Sequence, residues 1–294
     1  MKTFGRVLTA MITPFLDNGD VDFQGAVTLA KHLLSHGSDG LVVCGTTGES
    51  ATISTEDKLK LFELIAKECA GMGSIIANTG SNNTMQSVEL TKLASKLPID
   101  GIMAVVPYYN KPNQEGCYQH FKAIAMATEL PIIVYNVPGR TSASIQPATV
   151  ARLANEFSNI AALKDATGNL NNTSEVVRLC PENFMVYSGE DSLVLPLLSV
   201  GGCGVISVIS HVAGEELNEL IQSYEQGNCK KALELHKYLY PLAKGMFCTT
   251  NPIPVKTAMR LMNLPAGPFH LPLVNATPEE EAFITKLLKD YKKI

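Results

Sequence analysis

The sequence lacks runs of basic residues. No run of Lys or Arg is longer than two residues, and the 294-residue chain carries a formal net charge of -4 at pH 7. A nucleic-acid-binding surface needs clustered positive charge to neutralise phosphates. We therefore expect no nucleic-acid partner.

A targeting signal and a membrane span are also missing. Residues 1–6 lead directly into a strand-like segment, without the basic, apolar and small-residue regions of a signal peptide. The charge-free stretch 192–214 is interrupted by Pro196 and by three glycines, so it fits a helix, a glycine corner and a buried strand better than a membrane helix. These features predict a cytoplasmic protein that does not interact with membranes.

Cysteine and histidine do not form the motifs of disulfide or metal sites. The seven cysteines are an odd number without a Cys-x-x-Cys pair, which predicts buried free thiols. His32 and His36 have the spacing of a zinc-binding helix, but Leu33 stands where a metalloprotease has glutamate. Residues 201–204 lack the spacing of a dinucleotide fingerprint, and no Walker loop is present. We expect no metal, nicotinamide or flavin.

Short apolar runs alternate with amphipathic segments along most of the chain. Each run is rich in Val and Ile, ends in a polar or Gly/Pro cluster and precedes a segment with helical periodicity. The predicted strands are Val7–Ile12, Leu41–Cys44, Ile75–Asn78, Gly101–Val106, Ile132–Tyr135, Ile160–Lys164, Met185–Tyr187 and Gly204–Ser207. Strands that are apolar on both faces need cover on both, which favours an α/β fold with a closed (β/α)8 TIM barrel over an open doubly wound sheet.

Only helical patterning follows the eighth run. We place helices at about 215–227, 229–245, 252–262 and 278–291. The first would complete the barrel, and the others would form a C-terminal extension. The sequence therefore predicts a catalytic barrel domain at 1–225 and a C-terminal helical domain at 226–294.

Polar residues that end the apolar runs are the candidates for chemistry, because active sites of such barrels lie at the C-terminal ends of the strands. Lys164 ends the sixth run, where burial would lower its pKa and leave free amine to attack a carbonyl. An ion pair with Asp165 is the alternative. The loop of residues 45–49, Gly-Thr-Thr-Gly-Glu, suits a carboxylate or phosphate, although it could also be an ordinary turn.

Phenols and one cation end two further runs. Tyr108 and Tyr109 follow the fourth run and Tyr135 ends the fifth, which places hydroxyls that could pass protons at the barrel mouth. Tyrosines are also common at such rims for packing reasons. Arg140 suits bidentate recognition of a carboxylate, or it could be a surface residue of a turn.

Five motifs follow one another along nearly the whole chain. They are Gly-Thr-Thr-Gly-Glu at 45–49, Pro-Tyr-Tyr at 107–109, Tyr-Asn-Val-Pro-Gly-Arg at 135–140, Lys-Asp-Ala-Thr-Gly at 164–168 and Asn-Pro-Ile-Pro-Val-Lys at 251–256. In this order they resemble the dihydrodipicolinate synthase family of pyruvate-dependent class I aldolases. The resemblance implies a lyase that joins pyruvate to L-aspartate 4-semialdehyde through an imine. Its product would be 4-hydroxy-tetrahydrodipicolinate, for lysine and diaminopimelate biosynthesis, and neither a metal nor an organic cofactor would be needed.

The resemblance also implies roles for matching residues. Lys164 would form the imine and Tyr135 would shuttle protons. Thr47 would connect Tyr135 with Tyr109 of a neighbouring subunit, so the active unit would be a homo-oligomer, expected to be a tetramer built from dimers. The positions implied to bind substrate are Thr46, Thr47, Arg140, Gly189 and Ile206.

Other functions of a similar barrel remain open at this point. N-acetylneuraminate lyase and 2-keto-3-deoxy sugar acid aldolases share the catalytic lysine, but the second threonine of the loop and Arg140 favour the synthase. A silent barrel that senses a keto acid is a second alternative, and the presence of Lys164, Tyr135, Thr47 and Tyr109 together speaks against it. A phosphate-binding isomerase that uses the loops at Gly189 and 201–204 is more distant.

The resemblance further implies an effector site. Lysine-inhibited relatives hold the effector at positions that match Ser50, Ala51, Thr55, Lys58, Asn82, Gln86 and Tyr108. Histidines are expected at Thr55 and Lys58, and a glutamate at Gln86. The amide of Gln86 replaces an acid that would pair with the effector's ammonium group, and Lys58 adds a positive charge that repels this group. We therefore hypothesise weak or absent lysine inhibition.

Overall fold

Eight parallel strands close into a barrel in a computed structural model that describes residues 4–294. Each strand pairs with the next along the chain, and the eighth pairs with the first. The strands are β1 (Val7–Ala10), β2 (Gly40–Val43), β3 (Ser74–Asn78), β4 (Gly101–Val105), β5 (Ile132–Asn136), β6 (Ile160–Asp165), β7 (Met185–Ser188) and β8 (Gly204–Ser207). The predicted closed barrel is confirmed, and the open sheet is wrong.

Helices surround the barrel and continue beyond it. They are α1 (Phe23–Ser35), α2 (Thr55–Glu68), α3 (Thr84–Ala94), α4 (Gln114–Ala125), α5 (Pro138–Thr141), α6 (Pro147–Glu156), α7 (Leu170–Leu179), α8 (Val194–Ser199), α9 (Ser210–Glu225), α10 (Cys229–Gly245), α11 (Ile253–Leu261) and α12 (Pro278–Asp290). Short 3-10 helices lie at Ser50–Thr52 and Asp191–Leu193. The single turn α5 was not predicted, because four residues are too few to show periodicity.

Helix α2 shows how the amphipathic pattern fixes the outer layer. The Ser54 hydroxyl accepts from the backbone N–H of Asp57 at 3.0 Å and so caps the helix, as the sequence predicts. Phe62 and Ile65 are fully buried against the strands, and each contributes roughly 1.5–3 kcal/mol by leaving water. The inward face of this helix is therefore the one that the pattern predicts.

The barrel interior is filled by a second apolar cluster. It includes Leu8, Val42, Ile133 and Ile206, with Tyr135 at its upper edge. Side chains in successive strands of a TIM barrel pack in layers and leave no pore. Polar groups at the ends of the strands therefore rest on a packed apolar floor.

The helices after the barrel pack back onto it. Helix α10 lies against α9, and α11 contacts both α9 and α12. The confirmed fold thus includes a C-terminal helical extension, whereas the boundary between 1–225 and 226–294 stays a prediction.

The charge-free stretch 192–214 forms α8, a turn through Gly201 and then β8, as predicted. Across residues 4–294, no helix combines the length and the apolar character that a membrane crossing requires. Helix α9 begins at Ser210, five residues before the predicted start, and its backbone leaves helical geometry at Ala213.

All seven cysteines are free, but they are not all buried. Cys44, Cys69 and Cys117 are buried as predicted. Cys229 and Cys248 are exposed, so the prediction is wrong for these two. They lie at the start of α10 and three residues after its end.

Two buried histidines predict that the fold is sensitive to acid. The Nε2 atom of His211 accepts from the backbone N–H of Ile12 at 3.1 Å, so its Nδ1–H donates to the Val208 carbonyl at 2.8 Å, and the neutral ring satisfies both contacts. His120 contacts the Thr84 hydroxyl at 2.9 Å. Burial lowers the pKa of each ring from 6.5 to about 4.

The unfolded chain therefore binds more protons than the folded chain between pH 6.5 and 4, and the free energy of unfolding should fall as pH drops through that window. Urea unfolding at pH 7, 5.5 and 4.5 measures this dependence. The slope should be smaller in His120→Gln. An unfolding free energy that stays constant to pH 4.5 would contradict the prediction.

Candidate active site

Lys164 lies inside the mouth of the barrel. It occupies the penultimate position of β6, in register with Tyr135 of β5 and Tyr187 of β7. Its Nζ atom lies 4.2 Å from the centre of the Tyr135 ring, and the residue is only 6% exposed. A cationic or neutral amine is therefore held over an aromatic face, shielded from bulk water.

The alternative ion pair with Asp165 is wrong. The Asp165 carboxylate accepts from the backbone N–H of Thr167 at 2.9 Å, from its hydroxyl at 2.7 Å and from the Thr173 hydroxyl at 2.7 Å. Consecutive strand residues point to opposite faces, so Asp165 lies outside the barrel interior. Its hydrogen bonds fix the start of the loop that follows β6.

The surroundings of Lys164 set its protonation. Burial lowers the pKa of the amine from 10.5 to about 8, and the nearby carboxylates of Asp191 and Glu190 oppose that shift. The Asp191 carboxylate is itself buried, and one oxygen accepts from the backbone N–H groups of Val208 and Ile209 at 3.0 and 3.1 Å. At pH 7 about a tenth of such an amine is unprotonated.

This lowered pKa predicts how reactivity depends on pH. The second-order rate of imine formation on Lys164 with a keto acid should rise about tenfold from pH 6 to 7 and level off above about pH 8. Trapping with cyanoborohydride at short times, followed by intact mass measurement, gives the profile. A rise that continues to pH 10 would show an ordinary, solvated lysine.

Tyr135 is positioned to donate or accept a proton. Burial raises the pKa of its phenol, while the charge of Arg140 and a hydrogen bond with Thr46 lower it. The phenol therefore stays protonated at neutral pH, next to an amine that is partly free. That pairing suits general acid–base catalysis.

The threonine loop, residues 45–49, follows β2 and is fixed by short contacts. Thr47 is buried, whereas Thr46 is partly exposed. The Gly48 carbonyl accepts from the Thr13 hydroxyl at 2.8 Å. A Cβ atom at Gly48 would approach the Met11 carbonyl oxygen to 3.0 Å, so this close packing favours glycine.

Asn251, in the C-terminal extension, forms one hydrogen bond with the threonine loop and one with Arg140. The side-chain amide of Asn251 donates to Thr47 Oγ1 at 3.0 Å. The backbone carbonyl of Asn251 accepts from the Arg140 guanidinium at 3.0 Å. The structure therefore brings Thr47 and Arg140 to one residue that the sequence analysis quoted in a motif but gave no role.

Gly189 and Ile206 lie at the C-terminal ends of β7 and β8. Ile206 is buried in the interior cluster that also contains Tyr135. The Gly189 N–H donates to the Asp165 carbonyl at 2.7 Å, and a Cβ at this position would lie 2.6 Å from the Cβ of Ala166. Glycine is required there because the loops after β6 and β7 touch.

Tyr109 is a predicted site residue that does not contact the other predicted catalytic residues of its own chain. It is 88% exposed and has a left-handed backbone with φ of 70°. In the part of the chain that the structure describes, no hydrogen bond joins its hydroxyl to Thr47, whose Oγ1 accepts from Asn251 instead. The Tyr109 hydroxyl is left free for another molecule.

The implied effector residues lie in the segments that follow β2, β3 and β4, and they include the first turns of α2 and α3. Hydrogen bonds connect these segments, since Asn78 at the end of β3 donates to Ser50 at 3.5 Å and Asn110 donates to the Asn82 carbonyl at 2.8 Å. Lys58 is half-buried, and burial lowers the pKa of its amine. The other positions are at least partly open to solvent, namely Ala51, Thr55, Gln86 and Tyr108.

The two histidines with the spacing of a zinc-binding helix lie together on α1. His32 and His36 stack on α1 with ring centres 4.1 Å apart. Among the residues from 4 to 294, no group of three or more His, Cys, Asp or Glu side chains is arranged to hold a metal ion.

Sequence reasoning missed three groups near the site, namely Asn251, Asp191 with Glu190, and Lys256. Asn251 and Lys256 contact residues that lie 204 and 207 positions away in the chain. Such contacts leave no periodic signal. Only the Asn-Pro-Ile-Pro-Val-Lys motif, within which α11 begins, pointed to that segment.

Comparisons with known proteins agree with this geometry. The model of the Dihydrodipicolinate synthetase family matches residues 3–291. The 4-hydroxy-tetrahydrodipicolinate synthase of Moorella thermoacetica is 52% identical over 287 residues, which cover 98% of both chains. The crystal structure of a dihydrodipicolinate synthase from Bacillus anthracis superposes with a TM-score of 0.96 at 44% identity, covering 98% of this chain and 99% of that one.

A second solved structure, of the enzyme from Cyanidioschyzon merolae with lysine bound, gives a TM-score of 0.97 at 43% identity and covers 99% of each chain. The family match spans nearly the whole sequence, including the motifs that carry Lys164, Tyr135 and the threonine loop. This chain belongs to the dihydrodipicolinate synthetase family.

Proposed function

We propose that this chain is a lyase that condenses pyruvate with L-aspartate 4-semialdehyde to give 4-hydroxy-tetrahydrodipicolinate, a step of lysine and diaminopimelate biosynthesis. The observation that carries the chemistry is the buried Lys164 amine, 4.2 Å from the centre of the Tyr135 ring. Relatives about half identical to the chain bear the name of this activity. The single lysine provides the covalent step that the reaction requires.

The reaction begins with imine formation. The free amine of Lys164 attacks the ketone carbon of pyruvate, and water leaves after proton transfer to the departing oxygen. The protonated imine withdraws electrons, so a methyl proton is lost and an enamine forms. The enamine carbon then attacks the aldehyde carbon, and the aldehyde oxygen takes up a proton. The α-amino group that came from the semialdehyde attacks the imine carbon, which closes the ring and releases Lys164 as the free amine.

We assign the proton transfers to Tyr135 and the carboxylate contacts to the threonine loop. Tyr135 lies beside the Lys164 amine, and the Tyr135 phenol shares a hydrogen bond with Thr46. Thr47 would relay protons between phenols. Arg140, whose charge acts on both Tyr135 and Lys164, would receive the carboxylate of the semialdehyde.

No metal or organic cofactor is required by this scheme. The imine itself is the electron sink that stabilises the carbanion, which a metal ion or a pyridoxal group supplies in other enzymes. The residues that carry the scheme are Lys164, Tyr135, Thr47 and Tyr109.

Borohydride reduction in the presence of pyruvate tests this function. A reduced adduct should form on Lys164 alone, located by peptide mass mapping. Product assays with pyruvate and the semialdehyde, and separately with N-acetylneuraminate, then define the second substrate. An adduct on another lysine, or turnover of N-acetylneuraminate alone, would contradict the proposal.

We propose that the active unit is a homo-oligomer, a tetramer built from dimers, in which Tyr109 completes the site of a neighbouring copy. The support is its 88% exposed side chain and left-handed backbone, which hold a phenol outside its own barrel. A mixed oligomer tests this. Lys164→Ala and Tyr109→Phe variants, each weak alone, should regain activity when co-expressed, because one protomer supplies Tyr109 to the intact Lys164 of the other.

Lysine should inhibit this enzyme weakly or not at all. The positions proposed for the effector include Lys58 and Gln86, which present a cation and an amide where a bound ammonium needs an acid. Initial rates with and without millimolar lysine measure the effect, and Gln86→Glu with Lys58→His should increase sensitivity. Strong inhibition of the unaltered chain would overturn this expectation.

A further inference from the structure

A fully buried ion pair joins the threonine loop to helix α11. The Nζ atom of Lys256 lies 2.7 Å from Glu49 Oε1, and the two side chains are 0% and 2% exposed. The other carboxylate oxygen of Glu49 accepts from the backbone N–H of His270 at 3.0 Å. The amine also lies 4.0 Å from the centre of the Phe15 ring and 5.0 Å from that of Phe269.

Stability alone does not explain this arrangement. Removing both charges from water costs free energy that their attraction recovers only when the geometry is good, and apolar pairs of equal volume are often as stable. Two charges do, however, fix distance and direction more tightly than apolar packing. The distinguishing property of the ion pair is therefore that it fixes the positions of the backbone segments that carry Glu49 and Lys256.

One of those attachments is strained. Glu49 has a left-handed backbone with φ of 53°, and its N–H closes a turn onto the Thr46 carbonyl at 3.1 Å. A non-glycine residue adopts this conformation only when its surroundings enforce it. Its ion pair and the His270 contact supply that enforcement, and the turn orients Thr46 and Thr47.

The same C-terminal segment holds the loop at a second point. Asn251, five residues before Lys256, donates to Thr47 Oγ1 at 3.0 Å. Its side-chain oxygen is buried without a partner. The loop is thus attached at Thr47 and at Glu49, both times to residues 251–256.

We infer that Lys256 and Glu49 are positioning residues, through which the C-terminal extension sets the orientation of Thr46 and Thr47 toward the keto-acid carboxylate. The inference rests on the proposed function of the threonine loop. It assigns a catalytic purpose to the extension, which lies outside the barrel.

The test replaces the charged pair with a neutral one, Glu49→Gln with Lys256→Met, and measures thermal unfolding together with kcat and both KM values. We expect a melting temperature close to that of the unaltered enzyme but a pyruvate KM raised on the order of 10-fold or more, because small displacements of binding groups are costly. The matched control is the exposed ion pair between Arg260 of α11 and Glu281 of α12, altered as Arg260→Met with Glu281→Gln, which should leave all kinetic constants unchanged. An unaltered pyruvate KM in the stable double variant overturns the inference.

Two single variants keep the test decisive if the double variant does not fold. Glu49→Asp retains the charge but shortens the reach, whereas Glu49→Gln retains the reach and loses the charge. If the pair acts by positioning, the pyruvate KM should rise more in Glu49→Asp than in Glu49→Gln. A larger rise in Glu49→Gln would overturn the inference. Borohydride trapping on Lys164 in the unaltered enzyme separates this result from the proposed function, since failure of trapping there would remove the function itself.

Discussion

Replacement of Lys164 by alanine should lower kcat on the order of 10⁴-fold or more, because the covalent path disappears with its nucleophile. This loss corresponds to about 5 kcal/mol of activation free energy. The fold should remain, since truncation removes a desolvated amine whose pKa burial has already lowered to about 8. Steady-state rates with both substrates, and mass spectra after borohydride reduction, measure the two effects.

Lys164→Arg is the matched control for charge. Its guanidinium stays protonated and cannot form an imine, yet it keeps a cation near Asp191 and Glu190. Both variants should therefore be equally inactive, and Lys67→Ala, on the exposed face of α2, should be fully active. Activity retained in Lys164→Arg would mean that the lysine serves only as a positive charge.

The fold could be predicted because its strands are buried on both faces. Runs such as Ile160–Lys164 and Gly204–Ser207 are apolar up to their final polar residue, and each is followed by a helical segment. Only a covered parallel sheet accommodates that pattern. The single turn α5 and the early start of α9 were missed, because local caps and turns decide them.

The candidate site could be predicted only in part. Lys164, Tyr135 and Thr47 end strands or follow them directly, and the barrel geometry brings all strand ends to one mouth. Asn251 and Lys256 reach the site from the C-terminal extension, where sequence spacing does not encode the contact. Asp191 was missed because its role depends on burial and on two hydrogen bonds. Its carboxylate accepts both from backbone N–H groups in the turn that follows β8.

Substitution of Tyr135 by phenylalanine should give the second largest effect. It removes one hydroxyl and keeps the ring that lies 4.2 Å from the Lys164 amine, so packing and stability should change little. General acid–base catalysis by a positioned group contributes about 10²–10⁴-fold, and kcat should fall by that amount. Thermal unfolding and steady-state kinetics on the same preparation measure both quantities.

The pattern of kinetic losses distinguishes a proton shuttle from a packing residue. Because the phenol's pKa is raised by burial, the hydroxyl is protonated at neutral pH and can donate to the oxygen that leaves as water. Removal of the Tyr135 hydroxyl should slow both turnover and the trapping of the imine on Lys164. The final fraction of Lys164 that is trapped should stay high. If Tyr135→Phe trapped pyruvate at the normal rate and lost only stability, the hydroxyl would be structural, and the proton would have to come from Thr47 or from solvent.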